Sequence, residues 1–268
     1  MREDVIDLKT RAGAMETFVV RPERGAPYPP VLFLMDAPGI REELYDMARR
    51  LATVGYFVAL PNLYYRAGRD TKYGADVLEH GSAEHTRMRA VRTKMTIPPV
   101  MADVGDMLAW LDGQKEAKPG PVGVHGYCMS GPYSLAAAAR FPDRIAAAAS
   151  FYGTWLVSDA VESPHLTLGK AKGELYISCA EHDELAPLSM VEELRGRFAH
   201  AGTAGEIELY PGVQIRVLYQ RDYLHLLVKY GLEPPSQLAG ELPAAPAPAL
   251  PFTRRRPAPA DTDAAESA

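Results

Sequence analysis

The sequence has few cysteines and lacks the usual metal-binding and nucleotide-binding patterns. Its 268 residues include only Cys128 and Cys179, too few for a disulfide framework. No CxxC or HxxxH spacing predicts a zinc site, and no Gly-rich phosphate loop predicts a nucleotide cofactor. We therefore expect two free thiols, no metal and no cofactor.

The chain also lacks an excess of basic residues and a long apolar run. It has 29 Lys and Arg against 34 Asp and Glu, for a net charge of −5, which argues against nucleic acid as a partner. The mean hydropathy of −0.16 argues against a membrane span. The N-terminal segment MREDVIDLKT is charged and unlike a secretory signal, so we expect a cytoplasmic protein.

Strand-like and helix-like segments alternate along residues 1–213. Continuous apolar runs such as PPVLFLM and YFVALP predict strands buried on both faces, and REELYDMARRLATVG has apolar residues at helical spacing. This rhythm predicts one α/β domain with a mainly parallel sheet, helices on both faces and a ligand site at the carboxyl ends of the strands. Residues 66–100 are polar and predict no regular element.

The composition changes after Val213. Residues 214–233 do not continue the alternation, and residues 234–268 are dominated by Ala and Pro, which predicts a disordered tail. The sequence therefore predicts three parts: a domain over 1–213, a divergent segment over 214–233 and a disordered tail over 234–268.

The segment Gly126-Tyr127-Cys128-Met129-Ser130-Gly131 lies between a predicted strand and a predicted helix. This is the context of a nucleophile elbow, in which a strained turn presents a nucleophile at the edge of the sheet. Cys128 takes the central position, where the helix N-terminus favours a thiolate, and the Met129 N–H is an oxyanion-hole donor. The alternative is a small buried cysteine at a tight turn.

Three segments together resemble the dienelactone hydrolase family: HGYCMSGPYS, AEHDELAP, and DAPGIREELYDMARRLATVGYFVALPNLYYR. The resemblance covers about residues 1–213. It implies an α/β-hydrolase fold and hydrolysis of a small-molecule ester or lactone by Cys128. It further implies Asp183 as the acid of a catalytic triad and the Ala37 N–H as the second oxyanion-hole donor.

The acids in these segments have alternative interpretations. Asp36 stands where the family carries a Glu that contacts the thiol, and could instead cap the helix that follows. Asp183 could likewise cap the next helix, with Glu181 and Glu184 as competing acids. Arginines near these loops could bind a substrate carboxylate or simply form a solvated basic surface, and both interpretations stay open. These arginines are Arg41, Arg66, Arg69, Arg87 and Arg89. Tyr64 and Tyr65 either line a pocket or pack beneath it.

The histidine that the resemblance implies is missing. It should follow ELYPGV, where the chain instead reads Gln214-Ile215-Arg216. His225 is the only histidine beyond Val213 and is the candidate substitute base, provided that the chain loops back; His182 has a weaker claim. His125 lies an odd number of strand residues before Cys128, so we expect a structural role for it.

The loss of the histidine coincides with the change in composition. We therefore expect that the segment after Val213 is read in a shifted frame relative to an ancestral gene, or has diverged. Loss of a triad member costs orders of magnitude in kcat, so the hydrolase activity is expected to be impaired. The competing interpretations are a catalytically inactive hydrolase-fold protein and a thiol-based binding or redox protein. The sequence leaves the oligomeric state open.

Overall fold

The computed structural model describes residues 1–69 and 71–214. The predicted divergent segment 214–233 (apart from the backbone of Gln214), the predicted tail 234–268 and His225 lie outside these residues. No helix among the described residues is long and apolar enough to cross a membrane.

Within residues 1–69 and 71–214, eight strands form one sheet in the order β1-β2-β4-β3-β5-β6-β7-β8. The first two strands form an antiparallel hairpin, β2 pairs antiparallel with β4, and the other six strands run parallel. The strands are β1 (Arg2–Thr10), β2 (Gly13–Arg21), β3 (Pro30–Leu34), β4 (Phe57–Pro61), β5 (Val122–Tyr127), β6 (Ile145–Phe151), β7 (Glu174–His182) and β8 (Gly205–Gln214). The predicted α/β-hydrolase fold is confirmed.

In the described part of the chain, five α-helices accompany the strands: α1 (Glu42–Thr53), α2 (Ala83–Arg92), α3 (Ile97–Asp112), α4 (Gly131–Arg140) and α5 (Leu188–Ala201). Tyr45 of α1 contacts Phe18, whereas Trp110 of α3 contacts Phe57. Phe18 and Phe57 point to opposite faces, because Phe18 pairs with Leu60, three residues after Phe57. Helices therefore cover both faces of the sheet.

The two apolar runs form the buried strands that were predicted. All of β4 is buried, and so is all of β3 except the half-buried Val31. Burial on both faces explains why these strands show no alternation of polar and apolar residues. In α3 the predicted apolar stripe from Val100 to Leu111 is buried, whereas Val54, predicted as part of the α1 stripe, is exposed just beyond the helix.

The prediction of an irregular segment over residues 66–100 is wrong. This segment contains α2 and the start of α3. Only Met88 of α2 is buried, so the helix carries no apolar stripe that would have revealed it. The available signal was Ser82, whose Oγ accepts a hydrogen bond from the His85 N–H at 3.0 Å and caps the helix.

Candidate active site

Cys128 lies in a strained turn between β5 and α4. Its φ of 50° is in the left-handed region, which residues other than glycine seldom adopt. Glycines surround it for steric reasons: a Cβ on Gly126 would overlap the Ser130 carbonyl, and a Cβ on Gly131 would overlap the backbone of Gly153. The local geometry is that of the predicted elbow.

The loop after β6 joins this elbow to the loop after β7. Thr154 donates its N–H to the Cys128 carbonyl oxygen at 3.1 Å, and Trp155 donates its N–H to the Leu185 carbonyl oxygen at 3.2 Å. Tyr152 and Trp155 have φ values of 39° and 52°, so this loop is itself strained. Because the strands are parallel, these loops lie at the same edge of the sheet as the segment after β3.

Asp36, after β3, is fully buried and forms a bidentate salt bridge with Arg41. The two oxygen–nitrogen distances are 2.6 and 2.9 Å, and Arg41 also donates to the Gly39 carbonyl oxygen at 3.0 Å. Helix α1 has no side-chain cap, so the interpretation of Asp36 as a helix cap is wrong. Burial raises the pKa of Asp36, and the Arg41 guanidinium opposes that rise.

Two side chains connect the segment after β3 to the elbow. The Ser130 hydroxyl donates to the Met35 carbonyl oxygen. The Tyr64 hydroxyl donates to the Ala37 carbonyl oxygen at 2.8 Å and lies 3.3 Å from Sδ of Met129. The sequence did not predict these links, because they join residues that are far apart along the chain.

Asp183 follows β7 directly and is buried. Its Oδ1 accepts the Leu185 N–H at 2.8 Å, whereas its buried Oδ2 has no hydrogen-bond partner among the described residues. Burial raises the pKa of Asp183, and the N–H groups of Leu185 and Ala186 partly offset the rise. An unpaired buried carboxylate oxygen is costly, and this atom has room in its hydrogen-bonding capacity for a donor.

The thiol of Cys128 is not electrostatically activated. Burial is the main cause that raises its pKa to about 12, and the charges of Asp36 and Asp183 act in the same direction. Arg92 and the Met129 N–H lower the pKa, but by less. The Met129 amide at the start of the helix therefore favours the thiolate, as expected, but desolvation acts in the opposite direction and is the larger cause.

Four of the five arginines that the sequence singled out are bound to acids. Their partners are Asp36 for Arg41, Asp103 for Arg66, Asp7 for Arg69 and Glu84 for Arg87. Arg92, which the sequence reasoning missed, forms no ion pair among the described residues. Its guanidinium stacks at 4.3 Å on Trp155, which is 47% exposed, and its charge acts on Cys128.

Among the described residues, no hydrogen bond joins a histidine to Cys128 or to Asp183. His125 packs at 4.4 Å against Phe33, and burial lowers its pKa to about 3, consistent with the predicted structural role. His182 is the exposed last residue of β7, and His165 bonds to Ser163 at 2.7 Å. Among residues 1–69 and 71–214, no three His, Cys, Asp or Glu side chains cluster in a way that could hold a metal ion.

Comparisons with known proteins identify the family. The sequence profile of the dienelactone hydrolase family matches residues 15–215. A protein from Methylorubrum extorquens named "Putative carboxymethylenebutenolidase" is 25% identical over 210 residues, covering 77% of this chain and 69% of the relative. A protein of the same name from Synechocystis is 25% identical over 201 residues, covering 73% of this chain and 78% of the relative.

Solved structures agree with this assignment at the level of the fold. A structure described as a "Putative Dienelactone Hydrolase" from Klebsiella pneumoniae has a TM-score of 0.71 at 20% identity, covering 87% of this chain and 99% of that one. A dienelactone hydrolase-like promiscuous phosphotriesterase from metagenomic libraries has a TM-score of 0.61 at 16% identity, covering 86% and 97%. From its sequence match and its fold, the chain belongs to the dienelactone hydrolase family of hydrolases.

Proposed function

We propose that this protein attacks a small ester or lactone with Cys128 and forms a thioester. The observation that carries this proposal is the strained elbow of Cys128, on whose thiol the charges of the buried Asp36 and Asp183 act. Strained backbone at a site that surrounding contacts hold in place is typical of functional residues. Ala37 and Met129 contribute the amides, and Asp183 contributes the acid.

The chemistry proceeds in two halves. The thiol loses its proton, the sulfur bonds to the carbonyl carbon, and the π pair moves to the oxygen, which the Ala37 and Met129 N–H groups stabilise. The carbonyl re-forms as the bond to the alcohol oxygen breaks, and that oxygen takes up a proton. Water then attacks the thioester, which releases the carboxylic acid and restores the thiol. With a lactone, the acid and the alcohol remain in one molecule.

The second half needs a base to take the proton of the attacking water, whereas the first half can proceed slowly from the ionised fraction of the thiol. No hydrogen bond among the described residues joins a histidine to Cys128 or Asp183. The free Oδ2 of Asp183 suits the N–H of an imidazole, because a triad acid orients its histidine in this way. His225 remains the candidate for this base. A protein without a working base would stop at the thioester, because the attacking water would keep its proton.

The substrate we propose carries a carboxylate. Arg92 supports this choice, because its charge acts on Cys128 and it has no carboxylate partner among residues 1–69 and 71–214. A guanidinium bound to an exposed indole is well placed to take a bidentate anion. The relatives named carboxymethylenebutenolidase agree with a carboxylated lactone.

Support for a redox or thiol-binding role is weaker. Burial raises the pKa of Cys128 to about 12 and that of Cys179 to about 11. Redox-sensing cysteines have lowered pKa values, because the thiolate is the species that reacts with oxidants.

A rapid-mixing experiment with p-nitrophenyl acetate tests the proposal. We expect a nitrophenolate burst of about one equivalent that Cys128→Ala abolishes and Cys179→Ala preserves, since Cys179 is buried inside β7. Mass spectrometry of the quenched burst should find acetyl on Cys128. Steady turnover after the burst would indicate a working base, to be tested with His225→Ala. Absence of a burst in the unaltered protein would refute the proposal.

A further inference from the structure

The two proposed oxyanion-hole donors belong to different parts of the chain. Ala37 follows β3, whereas Met129 lies in the elbow after β5. Oxyanion stabilisation needs both N–H groups within hydrogen-bond distance of one oxygen at the same time. Something must therefore hold the spacing between the two segments.

Tyr64, which follows β4, contacts both segments at once. Its hydroxyl donates to the Ala37 carbonyl oxygen at 2.8 Å and lies 3.3 Å from Sδ of Met129. Its side chain is 1% exposed, and burial raises its pKa, so the phenol stays protonated and keeps its donor.

The backbone of Tyr64 is held as well. Its N–H donates to Oδ1 of Asn62 at 3.1 Å, and the amide nitrogen of Asn62 donates to the Thr71 hydroxyl at 2.9 Å. The phenol hydroxyl is thus attached to a fixed point and does not follow the two segments if they move.

We propose that Tyr64 is a positioning residue. It keeps the Ala37 and Met129 N–H groups at the spacing that lets both donate to the developing oxyanion. The inference rests on the proposed function, because it assigns a task within that same reaction. Arg41 holds the side chain of Asp36, and Tyr64 holds the carbonyl group of Ala37. Tyr64 acts on the substrate only through Ala37 and Met129.

Tyr64→Phe removes the hydroxyl and keeps the ring. Tyr133→Phe is the matched control, because its buried hydroxyl also donates to a backbone carbonyl, but to that of Met95, at 3.0 Å, and not to Ala37 or Met129. Misplaced oxyanion donors cost roughly 10- to 100-fold in rate. We expect the maximal acylation rate with p-nitrophenyl acetate to fall by about that factor in Tyr64→Phe and by less than about twofold in Tyr133→Phe.

Alkylation by iodoacetamide separates positioning from general damage, because this reaction at Cys128 develops no oxyanion. We expect Tyr64→Phe to leave the alkylation rate and the half-saturating ester concentration within about twofold of the unaltered protein. An unchanged acylation rate would overturn the inference, and so would an equal fall in both reactions.

Two further results, a missing burst in the unaltered protein and a Tyr64→Phe variant that does not fold, have different meanings. If the unaltered protein gives no burst, the proposed function fails and the inference falls with it. If Tyr64→Phe does not fold, Met129→Leu removes the sulfur contact at conserved volume, and its acylation rate should fall several-fold. An unchanged acylation rate in Met129→Leu would then overturn the inference.

Discussion

The reactivity of Cys128 should rise with pH far beyond the neutral range. Because burial raises its pKa to about 12, only roughly one thiol in 10⁴ is ionised at pH 8, whereas about a quarter of ordinary thiols are ionised there. The thiolate of a thiol with this raised pKa is, however, roughly 40-fold more nucleophilic than the thiolate of an ordinary cysteine. Together these effects predict alkylation of Cys128 roughly 50-fold slower than that of a free thiol at pH 8.

The assay is the rate of iodoacetamide labelling from pH 6 to pH 10, with the rate of Cys128→Ala subtracted to remove any contribution from Cys179. We expect the logarithm of the rate to rise with a slope near one and without a plateau, because the deprotonated form stays rare throughout. A plateau below pH 9 would refute the reasoning. It would mean that Arg92 and the elbow amides outweigh desolvation.

Three further predictions concern stability and are checked by thermal or denaturant unfolding. Gly131→Ala should lower the free energy of unfolding by about 1–3 kcal/mol, because the new Cβ would meet the backbone of the loop after β6. Gly196→Ala on α5, where the new Cβ meets no atom, should raise the free energy of unfolding by about 0.5–1 kcal/mol. Equal effects of the two substitutions would contradict this prediction. Asp103→Asn should destabilise the protein by about 2 kcal/mol or more, because it removes the buried carboxylate that binds Arg66. Asp143→Asn, at the exposed ion pair with Lys172, should cost less than about 0.5 kcal/mol. A larger cost for Asp143→Asn than for Asp103→Asn would contradict this prediction. Burial lowers the pKa of His125 to about 3 in the folded protein, whereas an unfolded histidine binds a proton below about pH 6.5. The contribution of His125 to the free energy of unfolding is therefore highest above about pH 6.5 and falls as the pH falls, and His125→Phe should make the acid-side fall in stability less steep. An unchanged acid side in His125→Phe would disprove this prediction.

Much of the fold could be predicted from the sequence, because its signals are local. The runs that became β3 and β4 are apolar throughout, and the stripe of α3 follows helical spacing. Helix α2 was missed because it buries one residue and so has little apolar periodicity. The elbow around Cys128 was recognisable partly because Gly126 is required by a local contact, that with the Ser130 carbonyl in the same turn, whereas Gly131 is required by the distant Gly153.

The amino-acid sequence predicts the α/β architecture, the family and the candidate nucleophile, acid and oxyanion-hole donors, because these rest on local patterns and motifs. The contacts that couple these groups depend on the three-dimensional fold. The Asp36–Arg41 salt bridge, the contact of Tyr64 with Ala37, the stacking of Arg92 on Trp155 and the free oxygen of Asp183 depend on which strand ends lie side by side. The raised pKa of Cys128 likewise comes from burial, which no local pattern encodes.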